Sequence, residues 1–401
     1  MNRTYIKDVT PGVCRVQGFV ENFRNKKNMA FIVVKDVTGK LQVTIVKEEH
    51  PEFNEMLDKL TIHSVVTFEG EVVASEYVKM GGKEMYPTSM KIESVAEALP
   101  IKDDSDIDVR MDYRWIDLRR ERNHLMLALQ TTLTAALREF LVERNFTEIH
   151  TPKLIAAASE SGSDVFEVKY FDTHAYLAQS PQFYKQMAMA AGLERIFETG
   201  PVFRAEKSYT NKHATEFTGF DLEFSYIDSC EDVMKMEEEL VTYAIAKVKA
   251  AHGEKIKELF DMDLEVPTLP FPRMKLADVY AELEERYGYK IPDELKGDLT
   301  TEAERMTKQL CQDKFGHEFL FITDYDAKER AFYHMRDERG VPQGYDLIWR
   351  GVEITTGAQR EHRYEILKAQ AEEKGLAEDV KFYLVMFVSI SIRTQMLADH
   401  S

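Results

Sequence analysis

The chain has 401 residues, 44% of them hydrophobic and 30% charged, which is typical of a soluble globular protein with room for two domains. Its net charge of −18 argues against an unspecific nucleic-acid binder, and no apolar run is long enough to predict a membrane span. Three scattered cysteines favour reduced thiols in a cytoplasm. The first hundred residues are nearly neutral, so a polyanion would bind there more readily than on the acidic remainder.

Residues 13–93 contain short stretches of strand-forming residues separated by turn signals. About five strands in so short a segment predict a small barrel such as an OB-fold, although another small β domain would show the same pattern. The predicted strands are Val13–Val20, Ala30–Lys35, Leu41–Val46, Ser64–Ser75 and Glu84–Ile92.

A polar, charge-dense connector follows, and it predicts a domain boundary. The expected organisation is an N-terminal domain over 1–98, a linker over 99–122 and a second domain over 123–401. Leucines at positions 125, 129, 133, 137 and 141 repeat at helical spacing and predict an amphipathic helix of about 20 residues. Beyond it, strands and helices mix without a βαβ rhythm, which favours an α+β domain on a mostly antiparallel sheet. The sequence contains no P-loop motif and no dinucleotide-binding glycine motif at the start of a helix.

The segment 179–224 holds the strongest chemical signals. Ser180-Pro181 predicts the start of a helix, with Gln182 and Lys185 three residues apart on one helical face. Residues 202–206 and 215–224 alternate like two strands, joined by a polar loop over 207–214. One face of the second strand combines an aromatic ring, a glycine and two carboxylates, which suits the floor of a polar ligand site better than a core. This face is formed by Phe217, Gly219, Asp221 and Glu223.

Three stretches of this segment carry a family resemblance. FRAE at 203–206, a loop ending in His213, and TEFTGFDLEF at 215–224 resemble motif 2 of class II aminoacyl-tRNA synthetases. QSPQFYKQ at 179–186 narrows the resemblance to the aspartyl-tRNA synthetase family of the archaeal and eukaryotic type, and the likeness extends to about Phe387. It implies an OB-fold anticodon-binding domain, a hinge and a class II catalytic domain. It also implies a cytoplasmic homodimer that uses ATP and Mg²⁺ to join L-aspartate to tRNA-Asp, with tRNA-Asn as a further candidate.

The expected ATP site centres on Arg204. A guanidinium is a planar fork that can grip phosphate and carboxylate oxygens together, and activation of an amino acid by ATP needs such charge stabilisation. The resemblance implies that Arg204 contacts the α-phosphate, that Glu206 reads the adenine amino group, and that Phe217 stacks on the adenine. It places His213 near the β- and γ-phosphates. The alternative for Arg204 and Glu206 is an ordinary surface ion-pair pattern.

Two carboxylates suggest a metal site. Asp346 and Glu353 are symmetric about Trp349-Arg350, so a hairpin turn at that dipeptide would make them cross-strand neighbours. Facing like charges are unfavourable unless a cation lies between them, and oxygen ligands with phosphate suit Mg²⁺. Both positions match the family's metal-binding residues, and Glu353 is also expected to contact ATP. The alternative is a pair of acids on an exposed hairpin.

A further pair of residues is expected to select the amino acid. An aspartate side chain in a closed pocket must be paired with positive charge to avoid a large desolvation cost. Lys185 and Arg360 match the family residues that bind this carboxylate, whereas asparaginyl enzymes carry an acid at the lysine position. The alternative for Lys185 is a solvated helix lysine. The resemblance also assigns the following residues to the aspartate site, with Glu160 receiving the substrate ammonium: Glu160, Gln182, Asp221 and Thr356.

The predicted barrel carries candidates for anticodon binding. Phe31 and Gln42 lie where the family stacks and hydrogen-bonds anticodon bases, and Glu84 is a third candidate; stacking on unpaired bases is the expected OB-fold mode. Phe31 lies in an apolar run, so core packing is its alternative role. Pro152 matches the motif 1 proline at the dimer interface, and an ordinary strand-end proline is the alternative.

The end of the chain departs from the family. Motif 3, a glycine-rich strand and a G-x-G-x-x-R helix, has no counterpart after Leu384, where the sequence reads VMFVSISIRTQMLADHS. This ending suggests a truncation or a reading-frame change. A second hypothesis is therefore an inactive relative that binds tRNA without turnover. A third, an asparagine–tRNA ligase, is disfavoured by Lys185.

Overall fold

The computed structural model describes residues 1–102, 104–156, 165–205 and 214–389. The chain divides into two compact units, Met1–Arg119 and Arg120–Ser401. Within the expected linker, the first unit contains two short helices, α2 (Ile107–Asp112) and α3 (Arg114–Asp117). Asp117 is buried there and accepts hydrogen bonds from Arg110 and Arg114, which holds the two helices together.

The first unit is built on a closed five-stranded barrel with the strand order β1-β2-β3-β5-β4, which confirms the predicted small barrel. Alternate residues of each strand face the barrel core, as Ala30, Ile32 and Val34 do on the second strand. Two glycines allow close strand contacts, because a Cβ at Gly18 or Gly70 would lie 2.3 or 2.2 Å from a backbone carbonyl oxygen. The elements are 3₁₀ helices Ile6–Asp8 and Pro51–Phe53, α1 Asn54–Lys59, β1 Gly12–Asn25, β2 Met29–Lys35, β3 Lys40–Val46, β4 Val65–Ala74 and β5 Lys83–Ser94.

The second unit contains three small sheets among its described residues, with strand orders β11-β10-β6, β12-β13-β14-β15 and β7-β9-β8. Antiparallel pairing dominates, and the parallel pairs are β6 with β10 and β12 with β13. The strands are β6 Thr147–Glu148, β7 Leu154–Ile155, β8 Glu167–Tyr170, β9 Thr173–Leu177, β10 Arg195–Phe203, β11 Glu216–Phe224, β12 Arg273–Lys275, β13 Phe319–Thr323, β14 Gly344–Trp349 and β15 Val352–Ala358. An α+β arrangement on mostly antiparallel sheets is therefore confirmed.

Helices cover these sheets. They are α4 Glu121–Val142, α5 Gln182–Ala190, α6 Cys230–Phe260, α7 Leu276–Tyr287, α8 Thr301–Phe315, α9 Tyr364–Glu373 and α10 Lys381–Ser389, with a 3₁₀ helix at Asp293–Leu295. The long helix α6 begins with a capping box, in which the Ser229 side chain accepts a hydrogen bond from a first-turn amide and the Asp232 side chain accepts one from the Ser229 amide. The main core lies between α4, α6 and the strands β10, β11, β13 and β14. A separate cluster packs α9 and α10 against Phe183 of α5.

The predicted amphipathic helix is α4. By length and composition alone, this helix could cross a membrane, contrary to the expectation that no apolar run is long enough. A core helix of a folded domain meets the same criterion, so the observation is weak evidence for a span. In the structure α4 packs along α6, where Thr132 Oγ1 lies 2.8 Å from His252 Nε2 and Phe140 packs on Tyr243.

Candidate functional site

Helix α5 places Lys185 in the interior. The helix begins at Gln182, one residue later than the sequence predicts, because Pro181 takes the N-cap position. Ser180 still serves the helix start, since its Oγ accepts a hydrogen bond from the Gln182 amide at 3.3 Å. Lys185 therefore lies in the first turn of a helix whose start is fixed, and its side chain is 0% exposed.

Strand β11 supplies the partners of Lys185. Its alternation is confirmed, because Leu222 and Phe224 pack in the main core while Asp221 and Glu223 face the other way. Lys185 Nζ lies 3.0 Å from Asp221 Oδ1 and 3.5 Å from Glu223 Oε2. Lys185 is thus a buried, paired cation and not a solvated helix lysine.

Arg360, which follows the end of β15, lies near the Glu223 carboxylate as well. Its Nε lies 3.9 Å from Glu223 Oε1, and its Nη2 donates a hydrogen bond to Gln182 Oε1 at 3.1 Å. The guanidinium carbon lies 4.9 Å from the centroid of the Tyr333 ring, a cation–π contact. Glu223 therefore connects Arg360 with Lys185, and the two cations of the predicted aspartate site line one small region.

We refer to Lys185, Asp221, Glu223 and Arg360 as the pocket cluster. Their exposed fractions are 0%, 4%, 0% and 2%, so two cations and two carboxylates lie together away from water. Buried charges are tolerated only when they are paired and hydrogen-bonded, and removing one partner leaves a charge that the protein cannot solvate. The pocket cluster is balanced in charge, because its two cations lie beside its two carboxylates.

The predicted ATP residues lie at the other end of the β10–β11 hairpin. Arg204 immediately follows β10, its amide donates to Thr215 O at 3.0 Å, and its guanidinium carbon lies 5.4 Å from the Phe217 ring centroid. Phe217 is four residues from Asp221 along β11, roughly 13 Å at the usual strand rise. One strand thus carries both an aromatic platform near Arg204 and the carboxylates of the pocket cluster.

The predicted strand over 202–206 is wrong in its bounds. The observed strand runs from Arg195 to Phe203 and ends before Arg204. The strand includes Pro201 because a proline is tolerated on an edge, and β6 pairs with β10 only at Ile196 and Phe197. Glu160, Glu206, His213 and nearly all of the predicted loop over 207–214 lie outside the described residues.

The predicted cross-strand pairing of Asp346 with Glu353 is also wrong. The hairpin turns one residue later than expected, at Arg350-Gly351, where both residues have positive φ angles of 53° and 78°. A register shift follows Leu347, so that Asp346 lies opposite Thr356 and Glu353 lies opposite Ile348.

The two carboxylates nevertheless belong to one polar network. Thr356 Oγ1 donates to Glu353 Oε1 at 2.8 Å. Burial and the nearby Asp346 carboxylate raise the pKa of Glu353, so the two acids interact. Thr356, predicted in the aspartate site, therefore contacts the predicted metal residue Glu353. In the part of the chain that the structure describes, no group of three or more His, Cys, Asp or Glu side chains could hold a metal.

Asp346 has a partner that sequence reasoning missed. Arg330 donates two hydrogen bonds to it, from Nη1 to Oδ1 at 2.9 Å and from Nη2 to Oδ2 at 2.6 Å. The guanidinium carbon also lies 3.7 Å from the centroid of the buried Tyr325 ring. This fork-to-fork pair and the stacked ring hold the Asp346 carboxylate in one orientation.

The outer face of the barrel carries the predicted anticodon residues, which we call the barrel face: Phe31, Gln42 and Glu84. Phe31 is half-buried on the side opposite the core residues of β2, so it is not a core side chain. Gln42 Nε2 and Thr44 Oγ1 donate to Glu84 Oε2 at 3.4 and 2.6 Å. Burial acts to raise the pKa of Glu84, but hydrogen bonds from Thr44, Ser75, Gln42 and Tyr86 outweigh it and lower the pKa.

Pro152 is exposed, and its neighbours hold it in place. The Thr151 amide donates to Glu198 Oε1 at 2.8 Å, and Lys153 Nζ lies 2.9 Å from the same oxygen. Glu198 belongs to β10 and is 2% exposed. This arrangement fixes the chain direction on both sides of the proline.

Several residues of the site carry no strong sequence signal. Glu223 shares a face with Asp221 by alternation, but only the fold shows that it contacts both cations. Arg330 and Tyr333 lie outside regular elements, so no periodicity marks them. Tyr383 Oη donates to Gln186 Oε1 at 2.6 Å behind α5, a contact across 197 residues that no local pattern predicts.

The barrel and the second unit, which we call the catalytic unit, together define a class of tRNA-charging enzyme. Residues 14–93 match the OB-fold nucleic acid binding domain, and residues 106–391 match the family described as tRNA synthetases class II (D, K and N). Because this second match spans most of the chain, the protein belongs to the class II tRNA synthetases of the D, K and N group.

Individual relatives extend over nearly the whole chain. An Aspartate--tRNA(Asp/Asn) ligase of Methanopyrus kandleri is 42% identical over 96% of this chain and 89% of its own length. An Aspartate--tRNA(Asp) ligase of Pyrococcus furiosus is 38% identical over 93% of this chain and 86% of its own length. The crystal structure of asparaginyl-tRNA synthetase from Pyrococcus horikoshii complexed with asparaginyl-adenylate has a TM-score of 0.90 at 28% identity, covering 100% of this chain and 92% of that one.

Proposed function

We propose that the protein is an aspartate–tRNA ligase, which activates L-aspartate with ATP to aspartyl-adenylate and transfers the aspartyl group to the 3′ end of tRNA. The observation that carries this proposal is the joint burial of Lys185 and Arg360 around Glu223. The relatives named as aspartate–tRNA ligases support it. tRNA-Asp is the proposed tRNA, and tRNA-Asn is a second candidate because one of these relatives is named for both.

The two buried cations favour aspartate over asparagine. The side-chain carboxylate of aspartate would be bound by Lys185 and Arg360, while Asp221, with Gln182 and Glu160, would accept the substrate ammonium. Asp221 would then exchange its contact with Lys185 for one with the ligand, so that each buried charge keeps a partner. An asparagine side chain brings no charge and would form no ion pair with either cation.

Activation of aspartate would use residues at both ends of the β10–β11 hairpin. An oxygen of the aspartate α-carboxylate attacks the α-phosphorus of ATP, the bond from that phosphorus to the β-phosphate oxygen breaks, and pyrophosphate leaves. Arg204 would stabilise the negative charge at the α-phosphate, and Phe217 would stack on the adenine. Glu206 is proposed to bind the adenine amino group, and His213 to face the β- and γ-phosphates.

The hairpin carboxylates fit a hard divalent cation. Asp346 and Glu353 supply oxygen ligands, and their mutual repulsion favours a bound positive charge. A site with two carboxylates leaves coordination positions for phosphate oxygens and water, as Mg²⁺ prefers. Mg²⁺ held there would neutralise charge on the phosphates of ATP, and Thr356 would orient Glu353 through its hydrogen bond.

The tRNA anticodon would bind at the barrel face. Phe31 offers a half-exposed ring on which an unpaired base can stack, with Arg24 5.8 Å from its centroid as a neighbouring cation. Gln42 and Glu84 offer hydrogen bonds to base edges beside it. The network around Glu84 holds these groups in fixed directions.

A second copy of the chain would cover exposed apolar side chains of the catalytic unit. Met126 and Leu127 on α4 are 50% and 49% exposed, and Leu154, two residues after Pro152, is 49% exposed. Large exposed apolar side chains of this kind are typical of interfaces. We therefore propose a homodimer that includes Pro152, acting in the cytoplasm, where the three free cysteines would stay reduced.

Amino-acid-dependent ATP–pyrophosphate exchange tests the proposed function. We expect exchange with L-aspartate and at least a hundredfold less with L-asparagine at equal concentration, since an asparagine amide lacks the charge-assisted hydrogen bonds to both cations, worth about 3 kcal/mol together. Lys185→Glu should abolish exchange with aspartate. Equal exchange with both amino acids would remove the specificity claim, and tRNA binding with no exchange at all would favour an inactive relative.

A further inference from the structure

Arg330 is a buried cation that faces the hairpin carboxylates but is not part of the proposed chemistry. Its side chain is 11% exposed, and that of Asp346 is 5% exposed. Both terminal nitrogens of the guanidinium bind Asp346, at 2.9 and 2.6 Å, and the Tyr325 ring covers the guanidinium at 3.7 Å. The pair is therefore fixed in geometry and shielded from water.

This pair changes the charge that a cation would meet at the hairpin. Asp346 and Glu353 carry two negative charges when both are ionised, and Arg330 interacts electrostatically with both of them. With both acids ionised and Arg330 in place, the three groups together carry one negative charge, and Asp298 and Glu304 lie close enough to interact with them. A divalent cation is then held less tightly by the protein alone than it would be without Arg330, because the guanidinium offsets part of the attraction.

The contacts of Arg330 still leave room for coordination. A carboxylate has about four lone-pair positions on its two oxygens, and the guanidinium fork uses two of them. A cation could therefore bind Asp346 at a remaining position without displacing Arg330. The phosphates of a nucleotide would supply both the missing negative charge and further oxygen ligands.

We propose that Arg330 acts as an internal counter-ion of Asp346, so that divalent-cation binding at Asp346 and Glu353 depends on nucleotide phosphates. This inference rests on the proposed metal site. It makes Arg330 a positioning residue, since it acts on the cation through Asp346 and through the charge of the cluster.

Binding of Mn²⁺, measured by electron paramagnetic resonance on the full chain without nucleotide, tests this inference. Arg330→Met should bind Mn²⁺ roughly tenfold or more tighter than the unchanged protein, because one nearby positive charge is gone. Arg330→Gln should show the same gain while keeping one hydrogen-bond donor, which covers the case that the methionine variant fails to fold. Arg330→Lys should bind Mn²⁺ as weakly as the unchanged protein, because the charge is retained.

Arg336→Met is the matched control. Arg336 also forms a two-point contact with a carboxylate, Glu373, at 2.8 and 3.3 Å, but that carboxylate is exposed. We expect no change in nucleotide-free Mn²⁺ binding for this variant. An equal gain in Arg336→Met, or no gain in either neutral Arg330 variant, would overturn the proposed role of Arg330.

A second measurement separates this inference from the metal site itself. With a non-hydrolysable ATP analogue present, the unchanged protein should bind Mn²⁺, and Glu353→Gln should weaken that binding. If Glu353→Gln has no effect, the metal site is wrong. If it weakens binding but the neutral Arg330 variants show no nucleotide-free gain, only the role of Arg330 is wrong.

Discussion

The pocket cluster and the barrel face differ in their charge and in their access to water. Each side chain of the pocket cluster is at most 4% exposed, and the cluster contains two positive and two negative groups. The barrel face is half-exposed and holds one carboxylate among neutral donors. A buried, charge-balanced cluster suits a small ligand that leaves water completely, whereas a half-exposed ring with polar neighbours suits bases that keep one side solvated.

Two glutamates show the same difference in their pKa values. Glu237 on α6 is 2% exposed, and burial raises its pKa from 4.5 to about 7 although Thr355 and Tyr345 hydrogen-bond to it. Burial also acts to raise the pKa of Glu84 on the barrel face, but the hydrogen bonds to its carboxylate have the larger effect and lower the pKa. Burial therefore decides the pKa of Glu237, whereas hydrogen bonds decide that of Glu84.

The largest expected effect comes from breaking the pocket cluster with Lys185→Met. Asp221 and Glu223 would then lose the cation that lies near both of them, and loss of one partner from a buried pair costs about 3–5 kcal/mol. We expect aspartate-dependent ATP–pyrophosphate exchange to fall by roughly two to three orders of magnitude. Lys249→Met is the control, because Lys249 pairs with Glu265 at 2.9 Å on the exposed surface and should not affect exchange. Exchange within threefold of the unchanged protein would contradict a paired role for Lys185.

The second effect is a change in how stability depends on pH, in Glu237→Gln. The folded-state pKa of Glu237 is about 7 and its ordinary value is 4.5, so its protonated form stabilises the fold below pH 4.5 and that stability is lost as the pH rises to about 7. Glutamine mimics the protonated acid. The variant should therefore be more stable than the unchanged protein at pH 8 by an amount on the order of 2–3 kcal/mol, and similar to it near pH 4.5.

Urea unfolding at both pH values measures this difference. Glu84→Gln is the contrasting variant, because the pKa of Glu84 is lowered and its stabilisation is present above the ordinary value and lost as the pH falls. It should lose stability at neutral pH and little in acid. A gain in stability for Glu84→Gln, or a pH-independent effect of Glu237→Gln, would show that burial does not explain the difference in pKa between the two acids.

A moderate effect is expected on the barrel face in Phe31→Leu. Stacking of one base on an aromatic ring is worth about 1–3 kcal/mol, so tRNA affinity should fall by roughly 5- to 100-fold at fixed salt. Exchange without tRNA should not change, because the pocket cluster belongs to the other unit. Phe315→Leu, on a half-exposed ring at the end of α8, is the control for tRNA binding measured by filter retention. Unaltered tRNA affinity of Phe31→Leu would argue against anticodon stacking there.

The smallest effect is expected behind α5, in Tyr383→Phe. The ring packs on Phe183 at 4.7 Å and stays in the variant, while the hydrogen bond from Oη to Gln186 at 2.6 Å is lost. We expect KM for aspartate to rise about fivefold with kcat nearly unchanged, which corresponds to one hydrogen bond of about 1 kcal/mol. Tyr287→Phe removes a comparable exposed hydrogen bond to Asp313 and should leave KM unchanged. An effect on kcat alone would show that Tyr383 does not act through the position of α5.

Local patterns in the sequence were sufficient for the barrel, for α4 and for the two faces of β11. Each of these depends on alternation or helical spacing, which neighbouring residues determine. The errors occurred where pairing across the chain decides the outcome. The strand predicted over 202–206 runs instead from Arg195 to Phe203, and the register shift in the hairpin places Asp346 opposite Thr356.

The sequence by itself determined the barrel, the α+β class and the residues Lys185 and Arg360 as candidates for an anionic substrate. Only the tertiary structure decided that Glu223 lies within 4 Å of both cations, that Arg330 binds Asp346, and that α10 supports α5 through Tyr383. The physical reason is that a buried site depends on which side chains meet across separations of 16 to 197 positions in the sequence. Such contacts produce no periodic pattern in the sequence, because packing and desolvation, rather than local backbone preference, select them.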